Sequence, residues 1–152
     1  MPGDGVAEPG SGLWLDFVRK FENNEVWGCL KPRSSIFRED DGSVPLVDWL
    51  DDLPGKPRAK CVAALQRLAL LGHELRRPEA DYLRDDIYEL RVRLQSVNYQ
   101  MLYFFHGRTA AVVSHGLVKE RIVPSKEIDR AIERKRRFEA NPKKHAFKPQ
   151  GY

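Results

Sequence analysis

The sequence predicts an α+β fold: an antiparallel sheet late in the chain, an N-terminal α-hairpin on one sheet face, and a C-terminal basic helix. Three observations predict it. Ile87–Leu94, Tyr99–His106 and Thr109–His115 are short runs rich in β-branched and aromatic residues, separated by hairpin-length gaps. Apolar residues between Val44 and Leu71 recur at three- and four-residue spacing. After Pro124-Ser125, Ile128, Ala131, Ile132 and Phe138 form one helical stripe, and Arg130, Arg134, Arg136 and Arg137 occupy the outward side.

In chain order, residues 1–12 hold four glycines and two prolines and read as a disordered leader. Ser11 can cap a short helix whose stripe is Leu13, Trp14, Phe17, Val18 and Phe21. A first strand at Ile36–Arg38 ends in the acidic turn Glu39-Asp40-Asp41-Gly42. Pro45 suits the first turn of a helix that buries Val44, Val47, Trp49 and Leu50 and stops at Pro54-Gly55. Lys56–Leu71 is the longest helical pattern, with Val62, Leu65, Leu68 and Ala69 recurring at three- and four-residue spacing, Cys61 alongside them, and Gly72 as a left-handed cap. His73 to Asp86 reads as polar and turn-like, with Arg76, Arg77 and Arg84 on the surface.

Alternation in Ile87–Leu94 sets Tyr88, Leu90, Val92 and Leu94 on one face and Glu89, Arg91, Arg93 and Gln95 on the other. Tyr99–Phe105 is apolar on both faces, as in a covered central strand. Gly116–Val123 reads as a polar loop, Ser125 as the cap of the last helix, and residues 141–152 as a basic mobile tail.

With 152 residues the chain can bury one core without covalent staples. A charged fraction of 32% and mean hydropathy of −0.54 describe a soluble globular protein. The net charge of +4 permits a nucleic-acid partner, and the excess is local: residues 119–148 hold eleven Lys/Arg against five Asp/Glu. Cys29 and Cys61 have no metal-ligand spacing and read as free thiols in a reducing cytoplasm. Neither a signal peptide nor a membrane-spanning run is visible, so the expected location is cytoplasmic. Phosphate-binding loops, nucleophile elbows and dinucleotide-binding glycine triplets are missing from the sequence, and no cofactor or metal is expected.

Tyr88-Glu89-Leu90-Arg91, Tyr99-Gln100-Met101-Leu102-Tyr103-Phe104-Phe105, His115-Gly116-Leu117-Val118-Lys119, Pro124 and Glu127-Ile128 occur in an order that resembles the HigB-like, phage-derived branch of the RelE/ParE toxins. The resemblance spans roughly residues 36–140, which makes residues 1–30 an extension, 31–140 the toxin domain and 141–152 a tail. It implies the toxin of a type II toxin–antitoxin pair, an endoribonuclease that cleaves mRNA on the ribosome, partnered by a helix-turn-helix antitoxin. Two departures are visible. The family often has arginine where Gln100 stands, and a more basic loop than Lys119-Glu120-Arg121-Ile122-Val123.

Without a carboxylate cluster such an enzyme works without metal, turning the RNA's 2′-hydroxyl on the neighbouring phosphate. The reaction needs a proton acceptor, cations for the phosphorane and a donor for the 5′-oxygen. His115, ending the third strand, is the candidate acid or base. Lys119 and Arg91 match family positions and are the candidate phosphate ligands, and Tyr103 can stack or donate a proton. Arg93, Arg121, Arg130, Arg134 and Arg137 are candidate RNA contacts. The same fold also hosts inhibition of DNA gyrase, and a catalytically weak binding module is the third reading. Deleting residues 1–30 should leave a cooperative thermal unfolding transition, and a broad, non-cooperative melt would show that the extension belongs to the core.

Overall fold

The computed structural model describes residues 34–107, 110–119 and 122–147. The leader, the helix expected after Ser11, Cys29 and Arg121 lie outside those residues. Within them run β1 (Ser34–Ile36), α1 (Pro45–Asp52), α2 (Gly55–Leu71), β2 (Ala80–Arg84), β3 (Ile87–Leu94), β4 (Val97–His106), β5 (Ala110–Lys119), α3 (Ser125–Ala140) and α4 (Pro142–His145).

The strands form one sheet in the order β1-β5-β4-β3-β2. The meander expected from the turn residues is present, since β2 through β5 pair antiparallel in sequence. The first strand differs from expectation. β1 lies parallel to β5, with Ser34 opposite Ala111, so the sheet is mixed. Parallel neighbours need a long connection, and here it comprises the α-hairpin and three strands.

Period-two alternation sorts the sheet's two faces. Leu90, Val92, Tyr99, Met101, Tyr103 and Val113 pack against Leu46, Leu50, Cys61, Leu65 and Leu68 of the α-hairpin. Ile87, Leu102, Phe104 and Val112 pack against Ile128, Ala131 and Phe138 of α3. β4 is therefore covered on both sides, which is why its sequence is a continuous apolar run. Burial pushes the Cys61 thiol up to about 12, so it stays protonated as a small core group.

Four further corrections apply to the sequence reading. The polar stretch before Ile87 contains β2, an edge strand of low strand propensity that sets Asp81 opposite Glu89 and Tyr82 opposite Tyr88. β5 continues to Lys119, so the start of the expected loop is strand. The cap of α3 is Pro124, and the Ser125 hydroxyl instead accepts a hydrogen bond from Arg84 at 2.9 Å. Residues 142–147 are packed: His145 is buried, its Nδ1 meets the Arg38 carbonyl at 2.8 Å, and Ala146 bridges Phe37.

One buried arginine holds the α-hairpin. Arg58, in the first turn of α2, donates to the carbonyls of Leu50, Asp51 and Leu53 at 3.0, 3.1 and 2.9 Å. These are the orphan acceptors where α1 ends, so a cation there satisfies them and complements the helix dipole. The Trp49 ring lies on Gly116 of β5, where an added Cβ would run into the ring. Gly116→Ala should therefore force the indole off the strand and destabilise the protein by about 1–3 kcal/mol. Urea unfolding checks this; a change below about 0.5 kcal/mol would mean that Trp49 yields freely.

Candidate nucleic-acid interface

The face that carries α3 also carries the charged residues. Strand register arranges them in cross-strand rows: Arg93–Asn98–Lys119, then Arg91–Gln100–Leu117, then Glu89–Leu102–His115. A register shift in β5 creates the third row. Val113 opposes Tyr103 while His115 opposes Leu102, so one extra residue turns His115 onto the α3 face.

Arg91 is held by carboxylates on two strands. It donates to Glu89 at 2.9 Å through Nε and to Asp81 at 2.9 Å through Nη2. Asp81 also pairs with Arg77 at 3.0 Å, and that hydrogen bond above all holds its carboxyl below the usual range. Gln100 completes the group: it is 5% exposed, and its Nε2 donates to the second Glu89 oxygen at 2.9 Å. A carboxylate only accepts, so this contact fixes the amide orientation. Gln100 Oε1 is then buried with no partner among the described residues.

Beside this cluster is a pocket of about 460 Å³ lined by Pro78, Glu79, Arg91, Val92, Arg93, Asn98, Tyr99 and Gln100. Arg91 and Arg93 are both exposed there, and Arg93 also donates to the Gln95 carbonyl at 3.3 Å. Lys119 shares the Arg93 row by backbone register. Two cations of β3, Arg91 and Arg93, thus border one opening on the sheet, an arrangement suited to a phosphodiester.

The other candidates stand elsewhere. His115 is 6% exposed and has both ring nitrogens engaged. Its Nε2 meets Glu127 in the first turn of α3 at 2.9 Å, and its Nδ1 meets the Ser114 hydroxyl at 2.8 Å. Arg134 donates to Ser114 at 3.3 Å and Arg130 to Glu127 at 3.1 Å. Burial, then the charge of Arg134, lowers the His115 pKa to about 4 against the pull of Glu127. The imidazole is thus neutral at pH 7: Nε2–H donates to Glu127, Ser114 donates to Nδ1, and no lone pair is left for a substrate proton.

Tyr103 lies on the opposite sheet face, 1% exposed and stacked on Tyr88 at 5.4 Å, and burial pushes its phenol up. It is core, away from Arg91. Arg134 does not face out either: it pairs with Glu39 at 2.8 Å and lies over the Phe37 ring. Arg137 joins it on Glu39 at 3.0 Å, and only Arg130 of the three is half exposed.

Glu89, Asp81 and Gln100 define the cluster. The sequence offered a signal for Glu89, which shares the Arg91 face by alternation, but none for Asp81, whose strand it hides. Among the described residues no group of His, Cys, Asp and Glu can hold a metal ion, and no helix is long and apolar enough to cross a membrane.

A family model described as phage derived protein Gp49-like (DUF891) matches residues 48–136, more than half of the chain. No curated protein matches it.

The His115 geometry has a pH consequence. Because the folded state holds the imidazole neutral, the unfolded chain binds the extra proton between pH 6.5 and about 4. Stability from this residue is therefore complete above pH 6.5 and falls as pH drops toward 4, by about 2–3 kcal/mol. His115→Gln, which can keep both hydrogen bonds, should show a flatter decline in urea midpoint from pH 8 to pH 4. Parallel curves for the two proteins would refute the assignment.

Proposed function

The chain belongs to the Gp49-like family of phage-derived proteins, within the RelE/ParE-like toxin group, and on that premise we propose that it is the HigB-like toxin of a type II toxin–antitoxin pair that cleaves mRNA on the ribosome without a metal ion. The observation that carries the reading is the pocket where Arg91 and Arg93 meet Gln100 and Asn98 on the sheet face that α3 leaves open. RNA's own 2′-hydroxyl gives its proton to solvent and attacks the phosphorus held there, the P–O5′ bond breaks, the 5′-oxygen takes a proton from water, and a cyclic 2′,3′-phosphate remains. Arg91, with Arg93 beside it, offsets the charge that gathers on the non-bridging oxygens.

His115 has no part in that proton transfer, so the enzyme works chiefly by charge and positioning. Its rate should lack an inflection near pH 6.5. A helix-turn-helix antitoxin is the partner in this reading, and it silences the toxin by covering the same face. Its segment over the pocket is acidic or amphipathic, so RNA and antitoxin exclude each other.

The pairing of Arg91 with Glu89 and Asp81 favours weak catalysis, because a phosphate competes with two carboxylates for one guanidinium. Position 100 is where that balance can be changed. Arginine there is donor-only, which suits Glu89 and removes the orphan Oε1 acceptor. Its charge also releases Arg91 toward the substrate. Gln100→Arg should raise cleavage of a ribosome-bound message, while Arg91→Ala should lower it by about 10²–10³ and Arg91→Lys by less. Primer extension on the purified complex reads all three. Equal rates for the wild type and Arg91→Ala would reject the nuclease reading, and inhibition of gyrase supercoiling with intact message would replace it.

A further inference from the structure

A second pocket, of about 340 Å³, lies on the far side of the Arg76–Asp81 segment. His73, Leu75, Arg76, Arg77, Ala80, Asp81, Tyr82 and Tyr88 line it, and its volume falls in the range of small-ligand sites. Two arginines, Arg76 and Arg77, and the rings of Tyr82 and Tyr88 share its lining.

Tyr82 is 51% exposed, yet it is held. Its hydroxyl accepts a hydrogen bond from the Asp86 amide at 3.2 Å, and its ring meets Tyr88 edge to face at 5.2 Å. Asp85 and Asp86 form the β2–β3 turn with φ of 51° and 66°, the left-handed pair that a tight hairpin of this twist requires. The turn therefore fixes the donor that fixes the tyrosine. Beneath it the rings continue: Tyr88 contacts Phe105 at 5.3 Å, and His73 stacks on Phe105 at 3.6 Å. An exposed aromatic ring with its rotamer already set can receive another ring at little ordering cost.

The charges point the ligand one way. Arg76 is exposed and forms no ion pair among the described residues. Arg77 holds Asp81, whose other oxygen binds Arg91. Asp86, whose amide holds the Tyr82 hydroxyl, sets a negative charge near the Tyr88 phenol and disfavours an anion beside these rings. A phosphate is thus directed to Arg76 and Arg77, and a neutral ring to Tyr82.

The segment that lines this pocket also lines the first one. Arg76, Arg77, Ala80 and Asp81 face the second pocket while Pro78 and Glu79 face the pocket of Arg91 and Arg93. We infer that the second pocket is a further nucleotide position on the same single-stranded RNA, which stacks an unpaired base on Tyr82 and holds its phosphate at Arg76 and Arg77. This rests on the RNA reading above. A protein partner could also use tyrosine and arginine, but the two pockets adjoin across one short segment, residues 76–81, and that favours a polymer that passes from one to the other. Stacking of this kind tolerates any base, so the position adds affinity and register without fixing a sequence.

The test uses the full chain and a short single-stranded RNA made uncleavable by methylation of its 2′-oxygens, with aminopurine placed at successive positions. One position should be quenched on binding. Tyr82→Ala should abolish that quenching and weaken binding by about tenfold, and Tyr82→Phe should preserve both. Arg76→Gln should reduce the salt slope of binding by about 0.7, the value for one phosphate contact on a single strand. Thermal midpoints of the variants report whether the fold is intact.

If the RNA binds with the same affinity and quenching profile in Tyr82→Ala, and with the same salt slope in Arg76→Gln, the second position is refuted and the nuclease reading stands. Absence of any RNA binding by the wild type, with or without ribosomes, would overturn both. If Tyr82→Ala leaves RNA binding untouched but weakens the antitoxin complex, the pocket is a protein-docking surface and the inference is wrong.

Discussion

The extra residue that β5 carries opposite Leu102 and Tyr103 governs how the charged side of the sheet is built. Strict alternation from Val113 would turn His115 toward the α-hairpin, into a core of leucines with no partner for its nitrogens. The bulge turns it the other way, where Ser114 and Glu127 satisfy it. Glu127 lies in the first turn of α3, so this contact fixes where the helix begins its path across the sheet. From there Ile128, Ala131 and Phe138 cover Leu102, Phe104 and Val112 and leave the rows of Arg91 and Arg93 open.

What is left open is preorganised and electrically quiet. Arg77 and Arg91 face Asp81 and Glu89, two cations against two carboxylates. Arg91 thus has its rotamer set before any ligand arrives, which spares the ordering cost of a long side chain. The same contacts reduce its pull on an anion. Gln100 belongs to this balance, because it stabilises Glu89 without adding charge.

Much of the fold was legible because periodicity and turn chemistry speak for local structure. β3 and β4, the two helices of the hairpin and the last helix follow from residues within a few positions of one another. β2 was not legible: Ala80, Asp81 and Arg84 give it little strand propensity, and its existence depends on the edge offered by β3. The parallel placement of β1 depends on a partner far along the chain. The site divided in the same way. Arg91 and Arg93 could be put on one face by alternation, whereas His115 was displaced by a bulge and Tyr103 by the parity of its strand. Arg134 and Arg137 looked outward on a helical wheel, but Glu39, about a hundred residues earlier in the chain, draws both inward.

The pairing along α3 has a bearing on how such a molecule moves among polyanions. Arg130, Arg134, Lys135, Arg136 and Arg137 each already have a carboxylate, so five of the six cations of this helix are paired and Lys126 alone has no ion pair among the described residues. Attraction to nucleic acid in general scales with the phosphates that unpaired cations can neutralise. A helix with most of its cations satisfied at home offers random DNA and structured RNA less to hold. For an RNA-directed toxin of the kind proposed, time lost on decoys would shorten, and the open rows of the sheet would meet their target with less competition from the bulk of the cell's polymer.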